Sequence, residues 1–488
     1  MRKHLIGLTI AIAATLAVLS CGGSSTTSQT GPASAGSGQL ALMGTDAPVC
    51  GVDSFVVTIT SATLTPQGGG TPVSVLDSSV IVDFASLRGF TTLLSLGSVP
   101  AGTYSKITFT FMPDPVLTVL EGNPPSPQTF SNATISPTKV TANINPALQV
   151  GANSSSGLTL DFRLFQSIQT DSTGQITGTV DPSIRVIPAV ITSANGLGDI
   201  DKLEGIVEAV TTTSSNANFT GSFTLRVRNT RTFQVNVQNS TKFEGVSGLG
   251  DLTKGMFVEV DANVEQDGNI VAKDVESETV ADATTAAFVG PVLSVTRDSN
   301  GNATQLTLFV RAEHPDVSTT VPLRSKVVVN LSSATRFKIA TFGTDLSTFL
   351  FNPSAIARGQ HVVVHGPFTG GTPSIVTGNM IVLRPQPAMG NFLATPAPVI
   401  GSDGMTGGYS LAPCNALFQN QIVNVVTFNS TLFDGLTDLN SLDTTSVYLN
   451  RGFLLYTTNS GSLNGLSWTT PPPAYVFLAH LVRKLNLP

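Results

Sequence analysis

The sequence predicts an all-β protein, an N-terminal β-sandwich followed by three small β-barrel repeats. Three observations carry that reading. Segments rich in Val, Ile, Thr and Phe alternate in polarity and end in Gly, Pro, Asn or Asp, the pattern of half-buried strands and their turns. Helical periodicity is almost absent, with a short helical piece expected only around Phe84 to Leu96. A strand-plus-motif pattern also recurs through the second half with a period near 95 residues.

The first element is residues 1–20. Basic Arg2 and Lys3, an apolar stretch from Leu5 to Leu19 and small Ser20 form the three parts of an export signal. The stretch is short for a bilayer span, which needs about 20 residues. Val18-Leu19-Ser20-Cys21 resembles the bacterial lipobox. The resemblance implies that residues 1–20 are a lipoprotein signal peptide, that Cys21 is lipidated after cleavage, and that acyl chains anchor the protein to a membrane. The expected address is therefore extracytoplasmic, and because no acidic residue directly follows Cys21, retention at the inner membrane is not implied and the outer membrane is the expected site. Residues 21–38, rich in Gly, Ser and Thr, read as a flexible linker with a mean reach of roughly 20 to 25 Å.

Residues 39–193 follow as the sandwich. Gln39 to Met43, Ser54 to Thr60, Tyr104 to Phe111, Leu158 to Leu164 and Arg185 to Ile191 read as strands, and Asp171 to Gln175 as a hairpin turn. The segments "GTDAPVCGVDSFVVTITSATL", "LLSLGSVPAGTYSKITFTF" and "LTLDFRLFQSI", in this order, resemble a bacterial lipoprotein family, domain of unknown function 4382. The matching residues include Thr45 to Pro48, Asp53, Pro100 to Tyr104 and Leu160 to Phe162. The resemblance implies an all-β sandwich and no known activity.

The three repeats are expected at 200–280, 285–385 and 388–488. Each runs an alternating strand into Thr-x-Phe, at Thr241 to Phe243, Thr335 to Phe337 and Thr431 to Phe433. A basic-Gly pair and another strand then follow: Lys254-Gly255, Arg358-Gly359 and Arg451-Gly452, with insertions expected before the second and third pairs. The Phe is expected to plug a core and the Gly to form a turn. At this length each copy could fold alone, unlike a solenoid unit. The first copy is similar to domain of unknown function 5666, which implies a small five- or six-stranded barrel. "QDGN" at Gln266 and "DSNGN" at Asp298 read as hairpin turns.

Chemistry is sparse. Only 11% of residues are charged against 41% hydrophobic, with a net charge of -6, so there is no basic field for nucleic acid. Cys50 and Cys414 fall in different predicted domains and are expected as buried free thiols; neither lies in a Cys/His cluster. His361 and His365, in "HVVVH", read as a strand pair about 13 Å apart, too far to share an ion. His314 is expected in a loop, and no G-x-S-x-G elbow occurs, since Gly245 to Leu249 lacks the last glycine. Asp46, Asp53 and Asp161 are carboxylates beside strands that could hold calcium, or could serve as caps and turn acceptors. Trp468 and Tyr475 form an aromatic pair that could contact a ligand, or cover the end of the last barrel.

These observations lead to a membrane-anchored, extracytoplasmic lipoprotein with a non-catalytic structural, adhesive or envelope-interaction role. No cofactor is expected. The partners are the membrane, through the anchor, and an envelope protein or polysaccharide. A carbohydrate-binding surface module is the alternative, and a secreted hydrolase a lesser one; an extended string of domains is expected of a structural or adhesive role.

Overall fold

The structure is a computed structural model, described here for residues 36–46, 49–189, 196–227, 231–278, 285–314, 317–340, 350–418, 421–469 and 474–485. Cys21 and nearly all of the expected linker lie outside these residues. The chain is all-β: a sandwich leads into three small closed barrels.

One sandwich sheet runs Ile184–Pro188, Ser155–Phe162, Ser37–Thr45, Thr92–Pro100 in spatial order, with the central pair parallel. The other is centred on Val52–Pro66, between Gly102–Phe111 and Val116–Glu121. Inward residues of both sheets fill the gap. Phe162 lies 5.4 Å from Phe55, 5.0 Å from Phe84 and 5.7 Å from Phe111 between ring centroids. The helical piece expected around Phe84 shrinks to one 3-10 turn, Phe84–Leu87, because residues from Thr92 onward join a sheet. Strand Ser37–Thr45 is buried on both faces. Leu40 and Leu42 enter the sandwich core, whereas Ala41 and Met43 join Leu93 against the first barrel.

Each barrel closes with five strands. The first uses Gly198–Thr211, Gly221–Val227, Arg231–Val237, Phe257–Val264 and Ile270–Glu278. The second uses Thr285–Arg297, Ala303–Phe309, Lys326–Asn330, His361–Thr369 and a last strand in two pieces, Ser374–Thr377 and Met380–Leu383. The third uses Gln386–Leu393, Gly407–Pro413, Val423–Thr427, Val447–Thr457 and Ala474–Leu485. In all three the third strand closes the barrel by pairing in parallel with the last. Thr-x-Phe then leads a short strand, Lys242–Glu244, Arg336–Ile339 or Leu432–Asp434, that pairs in parallel with the same last strand further along.

Between these two pairings the last strand carries two residues that face no partner in the parallel ladder. Pairing stops at Val271, Thr377 and Leu478 and resumes at Asp274, Met380 and Leu481. The repeat threonine fills that gap. Its hydroxyl donates to the first skipped carbonyl: Thr241 to Ala272 at 2.8 Å, Thr335 to Gly378 at 2.6 Å and Thr431 to Ala479 at 2.7 Å. The same oxygen accepts the backbone N–H three residues earlier, from Gln238, Ser332 and Phe428 at 3.0, 2.9 and 2.8 Å. All three threonines are buried. One side chain thus binds both a carbonyl that the parallel ladder skips and the N–H of the turn before it.

The rest of the motif behaves differently from expectation. Phe243, Phe337 and Phe433 are half-buried and pack at the margin of a core, so the buried anchor of the motif is the Thr. Gly255 and Gly359 are turn residues with φ +95° and +88°. Arg451-Gly452 is not their counterpart: Gly452 sits inside a strand, at a register shift where a side chain would meet Leu478 O. The third copy has Thr444-Thr445 at that turn and no insertion before it. The second copy does carry one, partly outside the described residues.

The modules do not form a string. Residues 36–488 constitute one compact unit, which corrects the extended arrangement expected of a structural or adhesive role. The reason is that the barrels are apolar outside as well as inside. One cluster holds Phe288 and Val364 of the second barrel with Phe453 and Leu478 of the third. Charged contacts join the first two barrels: Arg384, 2% exposed, lies 2.6 Å from Glu276 and 3.4 Å from Glu259, and Lys338 lies 2.9 Å from Glu244.

Replacing Thr241, Thr335 or Thr431 by Val keeps the shape and removes the hydroxyl, so each change is expected to cost about 1–3 kcal/mol. The corresponding Ser variants should retain most of that stability. Denaturant unfolding of the three pairs of variants checks this, and equal losses for Val and Ser would contradict the role given to the hydroxyl.

Candidate functional site

Two places bring polar groups from several modules together. The first is a joint beneath the Phe84–Leu87 turn. Asp83 accepts from Ser54 Oγ and Phe55 N, both at 2.8 Å, which fixes the turn on the Val52–Pro66 strand. Beyond the turn, Phe90 and Thr91 reach the barrels. Thr91 N donates to Asp201 Oδ2 at 3.0 Å, Arg451 Nη1 to Asp201 Oδ1 at 2.7 Å, and the Arg451 guanidinium lies 4.3 Å from the Phe90 ring centroid. Sandwich, first barrel and third barrel therefore meet on one carboxylate and one guanidinium. Asp53 makes a similar contact with the second and third barrels, 3.4 Å from both Arg311 Nη2 and Asn415 Nδ2.

Beside Asp53 lies the disulfide Cys50–Cys414, which bridges the sandwich and the third barrel across 364 residues. The expectation of two free buried thiols is corrected. Sequence distance hid the pairing, because it depends on the third barrel folding back onto the sandwich. Neither cysteine is fully buried, and Cys414 is exposed.

The second place is a groove of about 440 Å³ between the sandwich and the first barrel. Gln39, Asp77, Ser78 and Ser95 line the sandwich side; Arg231, Thr232, Gln234, Asn236 and Asn269 line the barrel side. Leu76, Leu94, Phe233 and Ile270, all buried, add apolar residues to a lining that is otherwise polar. Arg231 Nη1 crosses the junction to Leu93 O and Leu94 O at 2.7 and 2.9 Å. No sequence motif marked this groove, since its walls come from segments nearly 200 residues apart and only their docking creates it.

The residues singled out from sequence are scattered. Trp468 is half-buried on a small hairpin, where its Nε1 donates to Asn459 O at 3.1 Å and its ring covers Gly461. Tyr475 is 6% exposed, and its hydroxyl donates to Arg358 O of the second barrel at 3.1 Å. Its ring is therefore part of an interface between barrels. Asp46 and Asp161 lie near enough for their charges to repel, while Asp53 faces Arg311 and Asn415; among the described residues no group of three or more acidic, His or Cys side chains is arranged to hold a metal ion. Asp46 is buried and accepts from Leu164 N at 3.2 Å, and burial holds its carboxyl well above the usual range despite that bond and nearby Arg88. Burial likewise raises Asp53, opposed by Arg311. Asp161 lies in the sheet opposite Thr45 and Arg185.

The histidines serve the packing. His314 is in a strand, Ala312–His314, rather than a loop, and stacks 3.8 Å from the Phe257 ring centroid of the first barrel. His361 and His365 lie on one strand, both buried. His480 is the bulge residue of the third barrel, edge-on to Phe453 at 5.5 Å. Desolvation, reinforced by Arg451, lowers its pKa from 6.5 to about 4.

A histidine kept neutral in the fold stabilises it fully above its unfolded pKa, and that stability is lost as pH falls from 6.5 towards about 4. His480→Leu removes this linkage. The melting temperature of the parent should therefore fall relative to the variant between those two pH values, and parallel curves in calorimetry would contradict the buried neutral state.

No curated protein matches the chain. The sandwich, over residues 37–177, matches Domain of unknown function (DUF4382), and the first barrel, over residues 204–276, matches Domain of unknown function (DUF5666), in the order that the sequence motifs imply.

Proposed function

We propose that this protein is an extracytoplasmic lipoprotein, anchored to a membrane through Cys21, whose folded body serves a non-catalytic structural or envelope-interaction role. The observation that carries the reading is the Cys50–Cys414 disulfide. A bridge through an exposed cysteine residue is open to reduction by cytosolic thiols, whereas secreted and periplasmic proteins keep theirs. That address agrees with the lipobox-like Val18 to Cys21 segment.

The non-catalytic part rests on where the buried charge lies. Buried Arg384 with Glu276, part-buried Arg311 with buried Asp53, and part-buried Arg451 with Asp201 each join one module to another. Groups used in this way hold geometry, and removing one partner of a buried pair typically costs about 3–5 kcal/mol. The body is thereby suited to presenting surfaces in fixed relation.

Growth of the source bacterium with an alkyne fatty acid, followed by click labelling, should tag the protein. Cys21→Ser should abolish the tag and release the protein from the membrane fraction. An untagged protein in the cytosol would overturn the reading. In the purified protein, Cys50 and Cys414 should resist alkylation until a reductant is added, and the double Cys50→Ser, Cys414→Ser variant should be less stable by about 2–5 kcal/mol.

A further inference from the structure

We propose that the groove between the sandwich and the first barrel binds an uncharged oligosaccharide, an inference that rests on the envelope-interaction reading and names its ligand class. The chemistry of the lining selects the ligand. Gln39, Gln234, Asn236 and Asn269 each carry amide donors and an acceptor, Gln234 Nε2 donating to Ser222 Oγ at 3.2 Å; Ser78 and Thr232 add hydroxyls that do both, and Ser95, whose hydroxyl donates to Val75 O at 2.7 Å, adds an acceptor. A sugar presents hydroxyls that must donate and accept at once, and this mixture answers them. Asp77 and Arg231 are the ionisable groups of the lining, and their charges are opposite, so the groove has no excess field to favour an anion or a cation.

The amides of the groove are partly prepared for a ligand. Asn236 uses its Nδ2 on Asn269 Oδ1 and Ile270 O, both at 3.3 Å, and its Oδ1 accepts no hydrogen bond among the described residues. Asn269 is held in turn by Asp267, which accepts its Nδ2 at 2.6 Å and its backbone N–H at 3.0 Å. These bonds fix two amides before a ligand arrives and reduce the ordering cost of binding. Gln39 lies directly over Gly268, whose φ of +84° and missing side chain let the hairpin turn approach it. The volume, about 440 Å³, falls in the range of small-ligand clefts. Leu76 and Phe233, both largely buried, contribute the apolar atoms of the lining that a sugar's C–H groups can meet.

The site also needs both walls. Gln39, Asp77 and Ser95 belong to the sandwich and Arg231 to Asn236 to the barrel, joined by the apolar contact of Ala41, Met43 and Leu93 and by Arg231 on the Leu93 and Leu94 carbonyls. Neither matched domain would form the groove without the other.

The test is calorimetric titration of the purified full-length protein in detergent with cellohexaose, maltohexaose and chitohexaose at millimolar concentration. At least one should bind saturably. Gln39 and Gln234 are exposed, so Gln39→Ala with Gln234→Ala should leave the melting temperature unchanged and weaken binding about tenfold or more. Trp468→Ala should leave binding unchanged. The inference falls if none of the three sugars binds, if binding survives the double variant, if Trp468→Ala abolishes it, or if oligogalacturonate binds better than every neutral probe. Each of these outcomes leaves fatty-acid labelling at Cys21 untouched, so failure of the groove and failure of the lipoprotein reading are separable.

Discussion

The architecture of the second half depends on one hydroxyl used three times. A small barrel that closes by a parallel contact must carry its third strand past a discontinuity in the last strand, and the backbone there cannot satisfy itself. Thr241, Thr335 and Thr431 each donate to the stranded carbonyl and accept the N–H of the turn that precedes them. A short hydroxyl side chain that both donates and accepts can do this from a buried position, and all three copies carry Thr there.

Closed barrels have few free edges, and here their outer surfaces are used as well. Strand Ser37–Thr45 shows the principle most economically, with alternate residues serving the sandwich core and the first barrel. The third barrel returns to the sandwich through Arg451 on Phe90 and Cys414 on Cys50, and to the first barrel through Arg451 on Asp201. The chain therefore closes on itself, and its modules hold fixed positions instead of hanging as separate beads. A rigid body of this kind presents composite surfaces, of which the groove between sandwich and first barrel is one.

The low charge of the chain has a structural counterpart. Few ionisable groups exist, and several of those that are buried span two modules. What lines the groove is accordingly amide and hydroxyl, the chemistry that remains when charge is scarce. Tyr409 and Asn450 make a further neutral pair inside the third barrel, both fully buried, with the phenol held protonated by desolvation.

The sequence by itself determined the all-β class, the sandwich motifs, the hairpin turns at Asp171, Asp267 and Asp298, and the threefold Thr-x-Phe pattern, because alternation, turn chemistry and repetition are local properties. It misassigned the weight of that motif to Phe, since a large apolar side chain is the more visible signal and a buried hydroxyl leaves no trace in hydropathy. It also paired Arg451-Gly452 with the turns of the other copies, where composition matched but strand register did not. The Cys50–Cys414 bridge, the burial of Tyr475, the separate surroundings of Asp46 and Asp53 and the existence of the groove were decided only by tertiary structure. All of them depend on which surfaces of four modules meet, and that is a matter of shape and long-range contact that no short window of residues contains.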